Sequence, residues 1–452
     1  MCELVQKYNV PGPRYTSYPT VPYWDLESFS GKQWNSSVIR ALQETSNDGV
    51  SIYIHLPFCE SLCTFCGCHK RITKRHELEL PYIQNVLKEW KLYHELLGTR
   101  PVIKELHLGG GTPTFFSPKN LKLLVEGILQ FGKKAEEIEF SFEGHPNNTT
   151  KEHLTALYEV GFRRVSFGVQ DYNLTVQRAI NRIQPFENVK NVTEWAREIG
   201  YTSVSHDIIY GLPFQDSANV EETILRTNEL RPDRIAFYSY AHVPWIKGNG
   251  QRGYKESDLP SSVNKKEQYE IGKKMLTEFG YKDVGMDHFA LPSDNLHKAY
   301  IDGTLHRNFM GYTSSKTKLL IGLGVSSISD SWYGFAQNVK SVEEYGDLVS
   351  HGVIPIFRGH ILNSEDQILR QHILNIMCQF GTQWDEEEGQ IVDFRTILDN
   401  LSELETDGLV EIGPNQIKVT EKGKPFVRNI SMAFDLQLHR KKPDTRIFSM
   451  TV

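Results

Sequence analysis

Four of the chain's six cysteines stand within ten residues, in the stretch CESLCTFCGC from Cys59 to Cys68. Clustered thiols in a reducing compartment are metal ligands or redox centres more often than disulfide partners. The intervals between them shrink from three residues to two to one. Two metal centres fit that chemistry. A structural zinc site takes ligand pairs separated by a long loop, which sets its tetrahedron. Here one loop carries every ligand, while Cys2 and Cys378 stand alone, as a free thiol and a buried apolar residue. The sharper reading is an iron–sulfur cluster held by Cys59, Cys63 and Cys66 only. A 4Fe–4S cluster is fully ligated by four thiolates. Three leave one iron open, and an open metal position is where a reactive ligand binds. Gly67 lets the chain turn between Cys66 and Cys68, so the fourth sulfur is free to point elsewhere.

The other unusual residues recur at one place in a rhythm. Six β-rich runs, SIYIHLP, VIKELHLGGG, EIEFSFEGHP, RVSFGVQD, SVSHDIIYGLP and RIAFYSYAHVP, each precede an amphipathic or candidate helix. Alternation at that spacing implies a parallel sheet with right-handed crossovers. The cysteine loop, GGGTP, EGHP, VQD, YGLP and AHVPW all sit immediately after these runs. Loops at the C-terminal strand ends build the active site in barrels. The expectation is an α/β fold, a partial (β/α)6 TIM-like barrel, with a doubly wound sheet as the competing arrangement. Residues 1–50 read as an extended arm, VPGPRYTSYPT, lying on the body, and a helix. Residues 51–355 read as the catalytic barrel, with HRNFMGYTSSKTKLLIGLGVSSISD as a closing loop and strand. Residues 356–452 read as mostly helical, with a helix, hairpin and helix resembling a winged helix.

Composition removes several classes. The formal charge of -6 over 452 residues, with pI near 6.3, gives no basic face for nucleic acid. No apolar run approaches the length of a membrane span, and MCELVQKYNVPGPRYTSYPT has no apolar core of a secretory signal. A cytoplasmic, monomeric enzyme is expected.

Together the motifs carry a resemblance. YIHLPFCESLCTFCGCHKRIT, preceded by GPRYTSYPT and followed by GGGTPT, GVQD, YGLP, RNFMGYT and RNISMAFD, is similar to the oxygen-independent coproporphyrinogen III oxidase (dehydrogenase) family. That family lies in the radical S-adenosylmethionine superfamily, whose cysteine spacing is CxxxCxxC. The resemblance covers nearly the whole chain and implies a partial barrel of the radical S-adenosylmethionine type. It implies a 4Fe–4S cluster on Cys59, Cys63 and Cys66, whose open iron chelates the amino and carboxylate groups of one adenosylmethionine. An electron then cleaves that molecule to methionine and a 5′-deoxyadenosyl radical. The radical abstracts hydrogen from a propionate of coproporphyrinogen III, and loss of CO2 and one further electron leaves a vinyl group. Two such events, with two adenosylmethionine molecules, give protoporphyrinogen IX in haem biosynthesis. The sequence does not identify the electron donor or acceptor.

By the same resemblance Tyr53, which shares a strand face with His55, lies beside the cluster-bound adenosylmethionine. Gly110, Gly111 and Thr112 contact its methionine end, Glu143 contacts the cofactor, and Ile328 supplies an apolar contact. Phe65, Gln170, Arg182, Asp207 and Ala241 match positions that contact a second adenosylmethionine. Cys68 marks the oxidase branch without ligating iron, and with Tyr53 and Glu143 is expected at the chemistry. From the residues alone, a core tyrosine accounts equally for Tyr53, while a tight turn and a surface ion pair are the favoured readings of GGGTP and Arg182. The four carboxylates of the substrate require cations. Arg14, Lys70, Arg71 and Arg307, with Phe309 and Met310, are the candidates, and solvated charge is the competing reading for the cations. Met310 stands where the family usually reads Asn-Phe-Gln-Gly-Tyr-Thr, so an amide that donates and accepts is replaced by a thioether. Two relatives on the same scaffold compete as functions: a haem-chaperone-like protein, typically without the arm and fourth cysteine, and a radical methyltransferase. A zinc-stabilised interaction module leaves the aligned strand-end motifs unexplained.

Overall fold

The computed structural model describes residues 2–45, 48–245, 250–441, 445 and 447–451, without the side chain of Cys2. The six β-rich runs become six parallel neighbours in chain order: β1 (Val50–Leu56), β2 (Val102–Gly110), β3 (Lys133–Gly144), β4 (Arg164–Gln170), β5 (Ser203–Tyr210) and β6 (Arg234–Ser239). Helices α1 (Glu79–Leu97), α2 (Pro118–Gln130), α3 (Lys151–Val160), α4 (Phe186–Ile199) and α5 (Ser217–Leu230) join them, and α6 (Ser262–Glu278) follows β6. Strand order never reverses along this run. A doubly wound sheet requires such a reversal, so the barrel-type arrangement stands.

The strands form because their residues alternate. Ile52, Ile54, Leu106, Leu108, Phe140, Phe142, Val165 and Phe167 face outward and are buried against Val86, Trp90, Leu124, Ile128, Leu154 and Leu157 of the helices. Burying each large apolar side chain stabilises by about 1.5–3 kcal/mol. The intervening residues face inward and are polar, and the registers Tyr53↔His107, His107↔Ser141, Glu143↔Ser166 and Gly168↔Asp207 set them side by side. Caps start the helices: Ser117 accepts from the Asn120 N–H on α2, and capping boxes open α3 and α5.

At the N-terminal end the inward layer is charged. Glu139 pairs with Arg164, Arg234 pairs with Asp294 at 2.6 Å, and Glu105 accepts from Ser51 at 2.7 Å and Thr313 at 2.9 Å. Glu139 also accepts from Ser314 at 2.6 Å and Ser315 at 3.1 Å.

The sheet continues on both flanks. Leu320–Leu323 joins β1 in parallel and leads into antiparallel Ile328–Asp330, Gly334–Asn338 and Ile356–Ile361; His288–Ala290 and Lys282–Gly285 extend the β6 side. The segment expected as a closing loop plus one strand is more structured. His306–Asn308 and Gly311–Thr313 form a hairpin, and two sheet strands follow. Runs of three residues are too short to show a period, and Gly311, at φ 106, permits the turn. The sheet also runs past residue 355, because Ile356–Ile361 pairs with Gly334–Asn338.

The C-terminal residues build a second core. Helices Ser364–Gln379, Phe394–Thr406 and Val427–Ala433 pack with a three-stranded sheet of Gly381–Gln383, Gln416–Val419 and Val410–Gly413. Tyr8, Tyr15 and Tyr18 of the arm lie in that core, whereas Trp34, Val38 and Ala41 of helix Gly31–Glu44 belong to the barrel core. Among the described residues no helix is long and apolar enough to cross a membrane.

Candidate active site

The cysteine loop leaves β1 and is closed by a short parallel pairing of Phe58–Cys59 with Arg71–Ile72. Its backbone is tied to the loops around it. The Thr64 N–H donates to the Ile180 carbonyl at 2.9 Å and its hydroxyl to the Ala179 carbonyl at 3.0 Å. Asn181 Nδ2 donates to the Leu62 carbonyl at 2.7 Å, and Lys70 Nζ spans the Cys66 and Cys68 carbonyls at 3.0 and 3.2 Å. Cys59, Cys63 and Cys66 line one cavity of about 340 Å³, together with Lys70, Thr112, His145 and Arg182. Cys68 is not part of that lining and is exposed.

Two of the three lining thiols have a hydrogen-bond donor: Thr112 Oγ1 donates to Cys59 Sγ at 3.3 Å and Arg182 Nη1 approaches Cys63 Sγ at 3.8 Å. The neighbouring Cys68 holds Cys66 down to about 6, and Cys68 itself stands above its usual value. Burial pushes Cys59 up to about 11. Among the described residues no three His, Cys, Asp or Glu side chains converge on a single-ion site. Three thiols ringing a cavity, two of them supported by donors, fit the ligand set of a cluster.

Polar side chains continue this surface along the barrel interior. Tyr53 Oη bonds His55 Nδ1 at 3.0 Å, and its ring stacks on His107 at 5.9 Å between centroids. His107 reaches Ser141 at 2.8 Å and Glu143 at 3.5 Å, and the Gly110 N–H donates to Glu143 at 3.3 Å. The glycines of GGGTP are required by space. A Cβ on Gly110 would stand 2.7 Å from the His55 ring, and one on Gly111 would stand 2.6 Å from the Pro57 carbonyl. Gly110 also adopts φ 111. Ile328 lies beside this group: its carbonyl would meet a Cβ on Gly322 at 2.5 Å, and Gly322 is registered with Tyr53.

A second set gathers at the ends of β4, β5 and β6. Gln170 ends β4 in the left-handed region at φ 68. Arg182 Nη2 donates to the Gly168 carbonyl at 2.6 Å, and its buried Nε has no hydrogen-bond partner among the described residues. Asp207 accepts from Ser166 at 2.8 Å, and burial raises its carboxyl to about 7. Gln251 was not singled out by sequence; its Nε2 donates to the Ala241 carbonyl at 2.7 Å and to the Phe65 carbonyl at 3.4 Å, joining the β6 loop to the cysteine loop. A loop glutamine whose partners are distant backbone carbonyls leaves no sequence signal. His145 also lines the thiol cavity, and burial, reinforced by Arg182, pushes its imidazole far below the usual range.

Of the candidate substrate cations, only Arg14 and Arg307 are brought together. Lys70 belongs to the cysteine loop. Arg14 pairs with Asp287 at the edge of another cavity, about 440 Å³, bordered by Tyr240, Ala241, Lys265 and Arg428. Arg307 is buried and donates to the Arg14 carbonyl at 3.1 Å. Arg71 is exposed and paired with Glu343. Phe309 packs edge-on against Phe335 at 5.8 Å, and half-buried Met310 donates its N–H to Asn308 at 2.9 Å.

Residues 53–227, which hold the thiols, the glycine loop and most of the second set, match the radical SAM superfamily. Along its whole length the chain is 38% identical to the oxygen-independent coproporphyrinogen III oxidase of Synechocystis sp., spanning 97% of that protein. The chain belongs to the oxygen-independent coproporphyrinogen III oxidase family. Its likeness to the family member of the same name from Escherichia coli K12 is 39% over 97% of this chain and 95% of that one. The solved structure of coproporphyrinogen III oxidase from Escherichia coli, a radical SAM enzyme, superposes with a TM-score of 0.89 at 36% identity, over 96% of this chain and 98% of that one. Membership in the oxygen-independent coproporphyrinogen III oxidase family implies a 4Fe–4S cluster and adenosylmethionine, and the thiols of the cavity are chemically suited to hold the former.

Proposed function

We propose that the chain converts coproporphyrinogen III to protoporphyrinogen IX without oxygen, turning two propionates into vinyl groups with release of two CO2. The observation that carries this reading is the full-length family likeness, with three thiols on one cavity at the C-terminal end of β1. Cys59, Cys63 and Cys66 hold the cluster. When bound, the cluster and adenosylmethionine supply an electron and a carbon-centred radical able to take hydrogen from the propionate.

The residues bind and orient. Gly110 and Gly111 let the adenosylmethionine approach backbone, with Thr112, Tyr53 and Ile328 around it. Glu143 already accepts the Gly110 N–H and has capacity left for an ammonium. Phe65, Gln170, Arg182, Asp207 and Ala241 hold a second adenosylmethionine: Arg182 Nε, without a partner among the described residues, offers a charged donor to a carboxylate, and Asp207 accepts from hydroxyl or ammonium groups. Lys70 and Arg14 face the substrate's carboxylates, with Arg307 and Phe309 and Met310 behind the arm; Arg71 serves from the surface. Cys68 stays off the iron and acts toward the substrate or the second cofactor. Tyr53, Glu143 and Cys68 thus border the chemistry. The protein works as a cytoplasmic monomer, where its thiols remain reduced, with an electron donor and acceptor still to be identified.

Anaerobic incubation of the reduced protein with adenosylmethionine and coproporphyrinogen III tests the reading. Protoporphyrinogen IX and 5′-deoxyadenosine are expected. Tight haem binding with no decarboxylation would move the chain to a chaperone-like role.

A further inference from the structure

His145 sits in the loop after β3 and is oriented by its own surroundings. Its backbone N–H donates to Thr114 Oγ1 at 3.4 Å, and its carbonyl accepts from the Asn148 and Thr149 N–H groups, each at 2.9 Å. The Asn147 N–H donates to the His145 Nδ1 at 3.1 Å. A ring nitrogen that accepts a backbone N–H carries no proton, so the proton of the neutral imidazole is on Nε2. His145 lines the cavity of Cys59, Cys63 and Cys66, and its Nε2–H has no hydrogen-bond partner among the described residues. Of the other donors lining this cavity, Thr112 and Arg182 already reach Cys59 and Cys63, and Lys70 is held by the Cys66 and Cys68 carbonyls.

We propose that His145 donates its Nε2–H to a sulfur of the iron–sulfur cluster and thereby raises the cluster's reduction potential. The inference rests on the cluster reading above. Reduction adds one negative charge to the cluster, and an N–H aimed at sulfur stabilises the more negative form. Removing the donor therefore makes the cluster harder to reduce. The reaction begins with that electron, so His145 sets how strong a donor the enzyme needs.

The test is a potentiometric titration of the reconstituted full chain, followed by the electron paramagnetic resonance of the reduced cluster. The parent is compared with His145→Phe and His145→Leu, which lack a donor, and with His145→Gln, whose amide keeps one. The donorless variants are expected to bind as much iron as the parent. At a fixed potential their ratio of reduced to oxidised cluster should fall about tenfold, which for one electron is about 59 mV, and His145→Gln should stay near the parent. Unchanged potentials in the donorless variants would overturn the proposal. So would a fall in His145→Gln equal to theirs, or loss of iron from all three, because a residue that tunes the cluster is not needed to build it. A parent that binds no iron would instead fail the cluster reading itself.

Discussion

Cys66 and Cys68 are two residues apart, yet only Cys66 lines the cavity. Their roles should therefore separate under mutation. Alanine at Cys59, Cys63 or Cys66 is expected to abolish cluster binding. Cys68→Ala is expected to keep close to four irons per chain and the reduced-cluster spectrum while impairing substrate conversion. Iron analysis and product assay check this, and iron loss from Cys68→Ala equal to the other three would refute it. The cysteine pattern was legible because one short loop carries it. The donors that support it were less so. Thr112 lay in a quoted motif, but nothing local told that its hydroxyl meets Cys59, or that Arg182, more than a hundred residues on, meets Cys63. Those contacts exist only once β1 to β4 are assembled in one sheet.

The strands carry a signal that sequence reading used only at their ends. Ser51, Tyr53 and His55 alternate with Ile52, Ile54 and Leu56, and Glu139, Ser141 and Glu143 alternate with Phe140 and Phe142. Period two with polar residues inward marks a barrel whose interior is wet with side-chain chemistry rather than packed with aliphatic groups. The charged layer around Glu139 is a product of that alternation. Glu139→Gln would leave Arg164 with its main counter-charge gone in a largely buried place. A loss of about 2–4 kcal/mol of stability is expected, near the lower end for breaking a buried pair. Denaturant unfolding measures it, and a loss below about 0.5 kcal/mol would show the layer to be no more than surface pairing. The hairpin of His306–Asn308 and Gly311–Thr313 was not legible, since what fixes it is Thr313 reaching Glu105 across the barrel floor.

At the scale of the molecule the two ends of the chain are fastened together. Arg428 donates to the carbonyls of Gly12, of Pro13 at 2.9 Å and of Met450 at 2.9 Å, while the Thr451 N–H donates to the Val10 carbonyl at 2.9 Å. The sequence told that the arm lies on the body; it did not tell that the last residues hold it there, because no local pattern links residue 12 to residue 450. Arg428→Ala should release the arm. Faster proteolytic cutting within residues 9–30 is expected, with iron content retained and stability lowered by about 2–4 kcal/mol; an unchanged cleavage pattern would return Arg428 to simple packing. The cysteine loop is fastened in a different sense. Thr64, Asn181 and Gln251 bond its backbone to neighbouring loops. Small zinc domains fold only around their metal; this loop is tied to the surrounding protein as well. Oxygen that strips the iron would then leave a folded acceptor, and the damage could be repaired by refilling the loop rather than by making a new chain.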